Sequence, residues 1–365
     1  MITISLCMIV KNEEKVLERC LECVSDIVDE IIIVDTGSLD KTKDIASKFT
    51  DKIYDFVWIN DFSAARNYAF SKAEMQYIMW LDADDVIYEK DRNELKNLKE
   101  TLPDTVDVVM MRYNTAFDEN GNPVFLYYRE RILKNNSGFL WAGEVHEAIT
   151  PKGIIFFSEI AITHKKTRKS DPDRNLKIFE QKLAEGKKLD FRQKFYYGRE
   201  LYYHKRFDEA ILMFEECINS EQSWIENRLD SCRMCALCYE ELGMRSKVIA
   251  FLLKSFELAA PRAEILCEIG RYFFIDEDYE TAAYWYKSAL EIPANEKNGG
   301  FVIADCYGFI PCIQLCVCYD KMGDFIKAYE YNEKAGKIKP KSEAYLKNKD
   351  YFIMKSEKEN IKYVL

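Results

Sequence analysis

After residue 190 the sequence carries a pattern that few folds can accommodate. A small residue is followed twelve positions later by a second anchor, and the pair occurs four times: Gly198 with Ala210, Ala236 with Val248, Gly270 with Ala282 and Cys316 with Ala328. In three of the four a large residue follows four positions on, at Phe214, Leu252 and Tyr286. The small positions stand 38, 34 and 46 residues apart, room for one pair of helices and its turns. Small residues let paired helices approach closely, and the large ones fill between neighbouring pairs. Gly243 and Gly323 fall where turns between paired helices are expected, and Pro261, Pro293 and Pro340 where helices should end. An unrelated bundle would be as helical but would not keep the fixed offset. The longer spacings imply insertions, one of them around Gly299-Gly300.

The spacing resembles the tetratricopeptide repeat, whose helix pairs recur about every 34 residues. The first 90 residues are of another kind. Ile2 to Val10, Glu30 to Asp35, Lys52 to Trp58 and Tyr77 to Leu81 are apolar, β-rich runs, separated by helical spacing at Glu14 to Val24, Lys41 to Phe49 and Ser63 to Lys72. Continuous apolar strands alternating with helices predict a mainly parallel sheet with helices on both faces. From Asp107 to His164 the pattern turns β-rich and irregular, with a turn at Glu119-Asn-Gly-Asn-Pro123, and a polar segment from Lys165 to Arg174 leads into a helix. The expected domains are therefore an α/β domain over 1–188, about four helical repeats over 189–345, and a helical tail over 346–365.

Composition removes several function classes. The chain's net charge of −10 and pI near 5.2 disfavour non-specific binding to nucleic acid or anionic membranes. No run approaches the roughly 20 apolar residues of a membrane-spanning helix. The N-terminus lacks the basic segment of a signal peptide, and twelve cysteines in such a chain point to reduced thiols, so a cytoplasmic location is expected. Cys232-x-x-Cys235-x-x-Cys238 and Cys312-x-x-x-Cys316-x-Cys318 have metal-like spacing but fall in the first helices of repeats, where buried packing is the better reading; Cys20-x-x-Cys23 is read the same way. Neither a Gly-x-x-x-x-Gly-Lys nor a Gly-x-Gly-x-x-Gly loop is present, against ATPases and dinucleotide enzymes.

The sharpest chemical signal is Tyr77-Ile-Met-Trp-Leu-Asp82-Ala-Asp84-Asp85. An apolar strand delivers three carboxylates at its carboxyl end, where open α/β sheets bind ligands. Crowded carboxylates repel, and a divalent cation relieves that repulsion while bridging a diphosphate. Together with Ser5-Leu-Cys-Met-Ile-Val-Lys11-Asn12-Glu13, Val34-Asp35-Thr36-Gly37-Ser38-x-Asp40-x-Thr42 and Trp58-x-Asn60-Asp61-Phe62-x-x-x-Arg66-Asn67, it resembles in order the family 2 glycosyltransferases of the GT-A fold, a resemblance extending through Trp141-Ala-Gly-Glu144-Val-His146-Glu147 to His164. It implies an N-terminal GT-A nucleotide-sugar-binding domain followed by all-α repeats.

By this resemblance Val10 and Glu13 border the nucleotide and Asp35 contacts uracil, with capping of the next helix as a second role for the same carboxylate. Arg66 matches a cation near the diphosphate, Asp82 and Ala83 line the donor, and Asp84 matches the metal-binding carboxylate. Asp85 is placed beside the sugar, and His164 where relatives add a metal ligand, a set suiting Mn²⁺ or Mg²⁺. For the general base Glu147 leads, with Glu144 and His146 as rivals, and Trp141 is a platform for a sugar ring. The implied activity is metal-assisted, inverting transfer of a hexose-type sugar from a UDP-sugar to a peptide, protein or cell-surface glycan, with a homodimer through the repeats as a further expectation. A non-catalytic repeat scaffold that only binds a nucleotide-sugar is the alternative, and a nucleotidyltransferase a third.

Overall fold

The computed structural model describes residues 1–117, 121, 123–165, 171–294 and 302–359. Most of the expected 119–123 turn, residues 166–170 of the polar segment and Gly299-Gly300 lie outside the described residues. The chain divides into two compact units, Met1–Ala116 with Leu126–Gln193, and Phe117–Phe125 with Lys194–Leu365.

In the first unit the chain runs β1 (Ile4–Val10), α1 (Leu17–Glu22), β2 (Glu30–Asp35), α2 (Thr42–Ala46), β3 (Ile53–Asp55), α3 (Phe62–Phe70), β4 (Tyr77–Trp80), β5 (Asp85–Val86) and α4 (Glu89–Thr101). Then come β6 (Val108–Phe117), β7 (Pro123–Lys134), β8 (Trp141–Ala142), β9 (Ala148–Ile149), β10 (Ile155–His164) and α5 (Arg174–Ala184). The sheet order is β3-β2-β1-β4-β7-β6-β10-β5. Pairing is parallel among β3, β2, β1 and β4 and between β6 and β10, while β7 runs antiparallel to β4 and β5 antiparallel to β10.

Alternation along β1 builds two cores. Ile4, Leu6, Met8 and Val10 join Leu17, Leu21, Leu95 and Leu98 on one face. Cys7, with Ile32 and Val34, joins Ala69, Phe70 and Trp80 on the other. Helices α1 and α4 therefore cover one face and α3 the other. Asp61 caps α3, its Oδ1 accepting from the Ala64 N–H at 2.9 Å. Parallel register sets Val10 beside Asp35, so β1 and β2 end together, and Cys7 beside Trp80, so β4 stops three residues short of them and the acidic turn follows on the same side of the sheet. Antiparallel register sets His164 opposite Asp85. Those two alignments make the site.

Beyond α5 the described residues are helical apart from a short strand at Val302–Ile303: α6 (Phe191–Tyr203), α7 (Phe207–Asn219), α8 (Ile225–Glu241), α9 (Arg245–Lys254), α10 (Ala263–Ile275), α11 (Tyr279–Leu290), α12 (Phe309–Lys321), α13 (Phe325–Ile338) and α14 (Glu343–Glu359). The sixteen-residue step from small residue to large one is a packing register. A Cβ added at Gly198 would stand 2.8 Å from the Phe214 ring, and one at Gly270 would stand 2.9 Å from the Tyr286 ring. Gly323, with φ +81°, makes the turn between α12 and α13 that a side chain would strain. The cysteines of α8 and α12 are buried free thiols. Burial pushes Cys232, Cys238, Cys316 and Cys318 up to about 12, which keeps them protonated at neutral pH. No described helix is long and apolar enough to cross a membrane.

Candidate active site

The loops after β1 and β2 are laced together. The Asn12 N–H donates to Ser38 Oγ at 2.9 Å, the Leu39 N–H to Asn12 Oδ1 at 2.7 Å, and the Glu13 N–H to Thr42 Oγ1 at 2.7 Å. Asn12 adopts φ 56°, a conformation asparagine tolerates. Asp35, at the tip of β2, accepts the Gly37 and Ser38 N–H groups on Oδ1 at 2.9 and 2.8 Å. Its Oδ2 is buried and has no hydrogen-bond partner among the described residues. Helix α2 begins only at Thr42, so Asp35 closes a turn instead of capping that helix, which corrects the second role expected of it. Val10 thus stands beside Asp35 in the sheet, and Glu13 is tied by its N–H to Thr42 at the start of α2.

The acidic turn after β4 is held by its backbone. The Asp84 carbonyl accepts from the Lys165 N–H at 3.0 Å and from Arg19 Nη2 at 3.2 Å. Asp84 Oδ1 lies 3.2 Å and Asp85 Oδ1 3.5 Å from His164 Nδ1. Ligand atoms of these three residues all lie within 4.8 Å of one another, the one such group among the described residues. Burial disfavours a charged imidazole, but Asp84 and Asp85 outweigh it and push His164 up to about 10. Two carboxylate oxygens and an imidazole nitrogen suit Mn²⁺ or Mg²⁺, which would supply the positive charge that a protonated ring otherwise provides.

Asp82 and Ala83 begin the same turn, Ala83 buried. Arg66, on α3, joins Asp82 to the hairpin formed by β8 and β9. Its Nη2 meets Asp82 Oδ1 at 2.6 Å and its Nε meets Glu147 Oε1 at 2.7 Å. The guanidinium lies 5.1 Å from the Trp80 ring and 4.7 Å from the Trp141 ring. Burial alone would raise Asp82, but Arg66 and Arg131 hold it down at about 2. Arg66 is buried; two of its nitrogens are committed to carboxylates, whereas Nη1 is buried without a hydrogen-bond partner among the described residues.

Two expected roles do not fit the geometry. Trp141 is only 3% exposed, packed against Trp80 and Phe70, and its backbone is clamped by Asn67, so it offers no open face to a sugar. Asp85 is 0% exposed, because pairing of β5 with β10 turns it inward, and it does not reach a sugar. The three base candidates also separate. Glu144 is tied to Lys182 Nζ at 2.7 Å and to Gln193 Nε2 at 2.5 Å. His146 is exposed, with φ 51°, its carbonyl accepting from Arg192 at 3.1 Å. Glu147 is half-buried and held by Arg66.

Two participants, Tyr113 on β6 and Arg131 on β7, were absent from the sequence reading. Arg131 Nη1 donates to Asp85 Oδ2 at 3.1 Å, and Tyr113 Oη donates to Asp85 Oδ1 at 2.9 Å. The charged run Arg129-Glu-Arg131 leading into Ile132-Leu133 is the signal that could have drawn attention to the first; a tyrosine in a buried strand carries none.

Residues 5–158 match the family described as glycosyl transferase family 2. The chain is 28% identical over 252 residues to the SPbeta prophage-derived glycosyltransferase SunS of Bacillus subtilis, covering 65% of this chain and 58% of that protein. It is 41% identical over 150 residues to a TPR repeat-containing protein of Synechococcus elongatus, covering 41% of this chain and 36% of that protein. It thus spans less than two thirds of the length of either curated relative. Among solved structures, a glucosyl-3-phosphoglycerate synthase from Mycobacterium tuberculosis, in complex with Mg²⁺ and UDP, aligns at 19% identity and TM-score 0.27 over 31% of this chain and 44% of that one. The pilus biogenesis factor PilW aligns at 17% identity and TM-score 0.39 over 48% of this chain and 74% of that one.

Proposed function

Because residues 5–158 are a glycosyl transferase family 2 domain, we propose that the chain transfers a hexose-type sugar from a UDP-sugar to a peptide, protein or glycan with inversion at the anomeric carbon. The observation that carries this reading is the convergence of Asp84, Asp85 and His164 at the carboxyl end of β4, where an α/β sheet takes its ligands. The SunS relative, named as a glycosyltransferase, supports the reaction class.

In this reading Asp35 Oδ2, buried without a hydrogen-bond partner among the described residues, accepts the imide N–H of uracil, with Val10 and Glu13 flanking the base. Asp82 and Ala83 lie along the donor, and Asp84 with His164 would hold a divalent cation. A cation held there would supply positive charge against the departing diphosphate. Arg66 spans Asp82 and Glu147 and so fixes the spacing between the donor side and the base. Glu147 takes the proton from the acceptor as its heteroatom bonds to the anomeric carbon, while the bond from that carbon to the diphosphate breaks and its electron pair leaves with UDP. Glu144 is held by Lys182 and Gln193 and shapes the hairpin. His146, with its strained backbone, lies on the acceptor side. The helical repeats are proposed to present the acceptor, a role for which repeat arrays are suited.

The test is a panel of UDP-sugars with Mn²⁺ or Mg²⁺, scored for donor hydrolysis without acceptor. Consumption of at least one UDP-hexose, stopped by chelation and by Asp84→Ala, is the expected result. Absence of UDP binding with either cation would overturn the reading in favour of a non-catalytic scaffold.

A further inference from the structure

We propose that Arg131 and Tyr113 are positioning residues for the cation site, acting through Asp85 on His164; the inference rests on the metal assignment above. Arg131 is 0% exposed, in the interior of β7 next to Ile132 and Leu133, which are equally buried. A guanidinium removed from water is costly unless its charge and its donors are met. Here its faces are covered by the rings of Trp80, at 3.7 Å, and Tyr113, at 4.3 Å. Its Nη1 donates to Asp85 Oδ2 at 3.1 Å and to the Trp80 carbonyl at 3.2 Å. Nε and Nη2 have no hydrogen-bond partner among the described residues, so its charge is met by Asp85 and the ring faces rather than by a full set of acceptors.

A fixed positive charge so near a cation site opposes cation binding by simple repulsion. Its placement makes sense if its charge is spent on Asp85. That carboxylate also accepts the Asp82 N–H on Oδ2 at 3.0 Å and the Tyr113 hydroxyl on Oδ1 at 2.9 Å. The Tyr113 oxygen in turn stands 3.0 Å from His164 Nδ1. That contact holds the plane of the ring beside Asp84. Asp85 is therefore matched within the protein, while Asp84 keeps 23% of its side chain open to a ligand. The division assigns Asp84 and His164 to the ion and Asp85 to orientation, and it explains why the most buried carboxylate lies in the middle of the acidic turn's network.

The experiment uses the full chain and reads Mn²⁺ affinity by calorimetry and electron paramagnetic resonance, UDP affinity without metal, and the melting temperature. Tyr113→Phe deletes only the hydroxyl. It is expected to weaken Mn²⁺ binding about tenfold or more, leaving metal-free UDP affinity and melting unchanged. Arg131→Met alone strands a buried Asp85 and can unfold the chain, so the paired variant R131M/D85N removes both charges together. It should weaken Mn²⁺ binding to a similar degree, and Arg131→Lys, which keeps the charge but not the planar stack, should fall between it and the wild type. Wild-type Mn²⁺ affinity in both Tyr113→Phe and R131M/D85N overturns the inference while leaving the metal site standing. A wild-type chain that binds no Mn²⁺ overturns the metal assignment itself, and this inference with it.

Discussion

Glu144 and Glu147 stand three residues apart on one hairpin, yet their surroundings separate them. Lys182 and Gln193 saturate Glu144. Glu147 meets Arg66 through Oε1, which orients the carboxylate. Glu147→Gln is accordingly expected to lower sugar transfer about 100-fold or more, the contribution typical of a general base, with UDP affinity unchanged; Glu144→Gln should stay within a few-fold of wild type. Steady-state rates at saturating donor decide it, and unaltered transfer in Glu147→Gln removes that residue from the chemistry. The acidic turn and its strand were legible in the sequence because both are local: apolar residues followed by carboxylates. What the sequence did not disclose is which way each side chain points. Asp85 was read beside the sugar and Trp141 as a platform, but long-range pairing of β5 with β10 and packing on Trp80 bury both. Arg131 and Tyr113 lie 46 and 28 residues from Asp85, a separation that carries no periodic signal.

At the scale of elements, the parallel half of the sheet and the repeats were readable for the same reason: continuous apolar runs and a twelve-residue offset are properties of short windows. The order of β7, β6, β10 and β5 was not, since it depends on which distant strands meet. Two element-level outcomes follow from the packing. Gly270→Ala drives a methyl into the Tyr286 ring and is expected to destabilise the second unit by about 1–3 kcal/mol, measured by urea denaturation. Combining it with Tyr286→Leu should recover part of that loss, whereas strict additivity would mean the two residues do not share a contact. The second concerns the start of β2. Burial alone would raise Glu30, but the Glu74 N–H, Lys52 and the Ser5 hydroxyl outweigh it and hold Glu30 below its ordinary 4.5. A carboxylate lowered on folding contributes stability above its unfolded value and loses it as pH falls through the folded one. Glu30→Gln should therefore cost roughly 2 kcal/mol at neutral pH, and the difference from wild type should shrink as pH drops below 4.5. A pH-independent difference would show that packing, not charge, holds that carboxylate.

For the whole molecule the question is where a nucleotide-sugar is felt. The first unit contains Asp35, the acidic turn and the Glu147 hairpin, and the second is built from buried thiols and ring-on-glycine contacts with no comparable cluster among its described residues. A ligand that binds only the folded state at a hundred times its dissociation constant stabilises that state by about 2.7 kcal/mol. UDP with Mn²⁺ should therefore slow backbone hydrogen exchange in β1, β2 and β4 while leaving α10 to α13 as they were. Asp84→Ala is expected to abolish the part of this protection that needs Mn²⁺ and to keep the part that UDP gives alone, because Asp35 and the β1 loop do not depend on the ion. Protection gained in the repeat helices instead, or metal-dependent protection that survives Asp84→Ala, would mean that the acidic turn is not where the donor's diphosphate is met, and the transferase chemistry built on it would have to be abandoned.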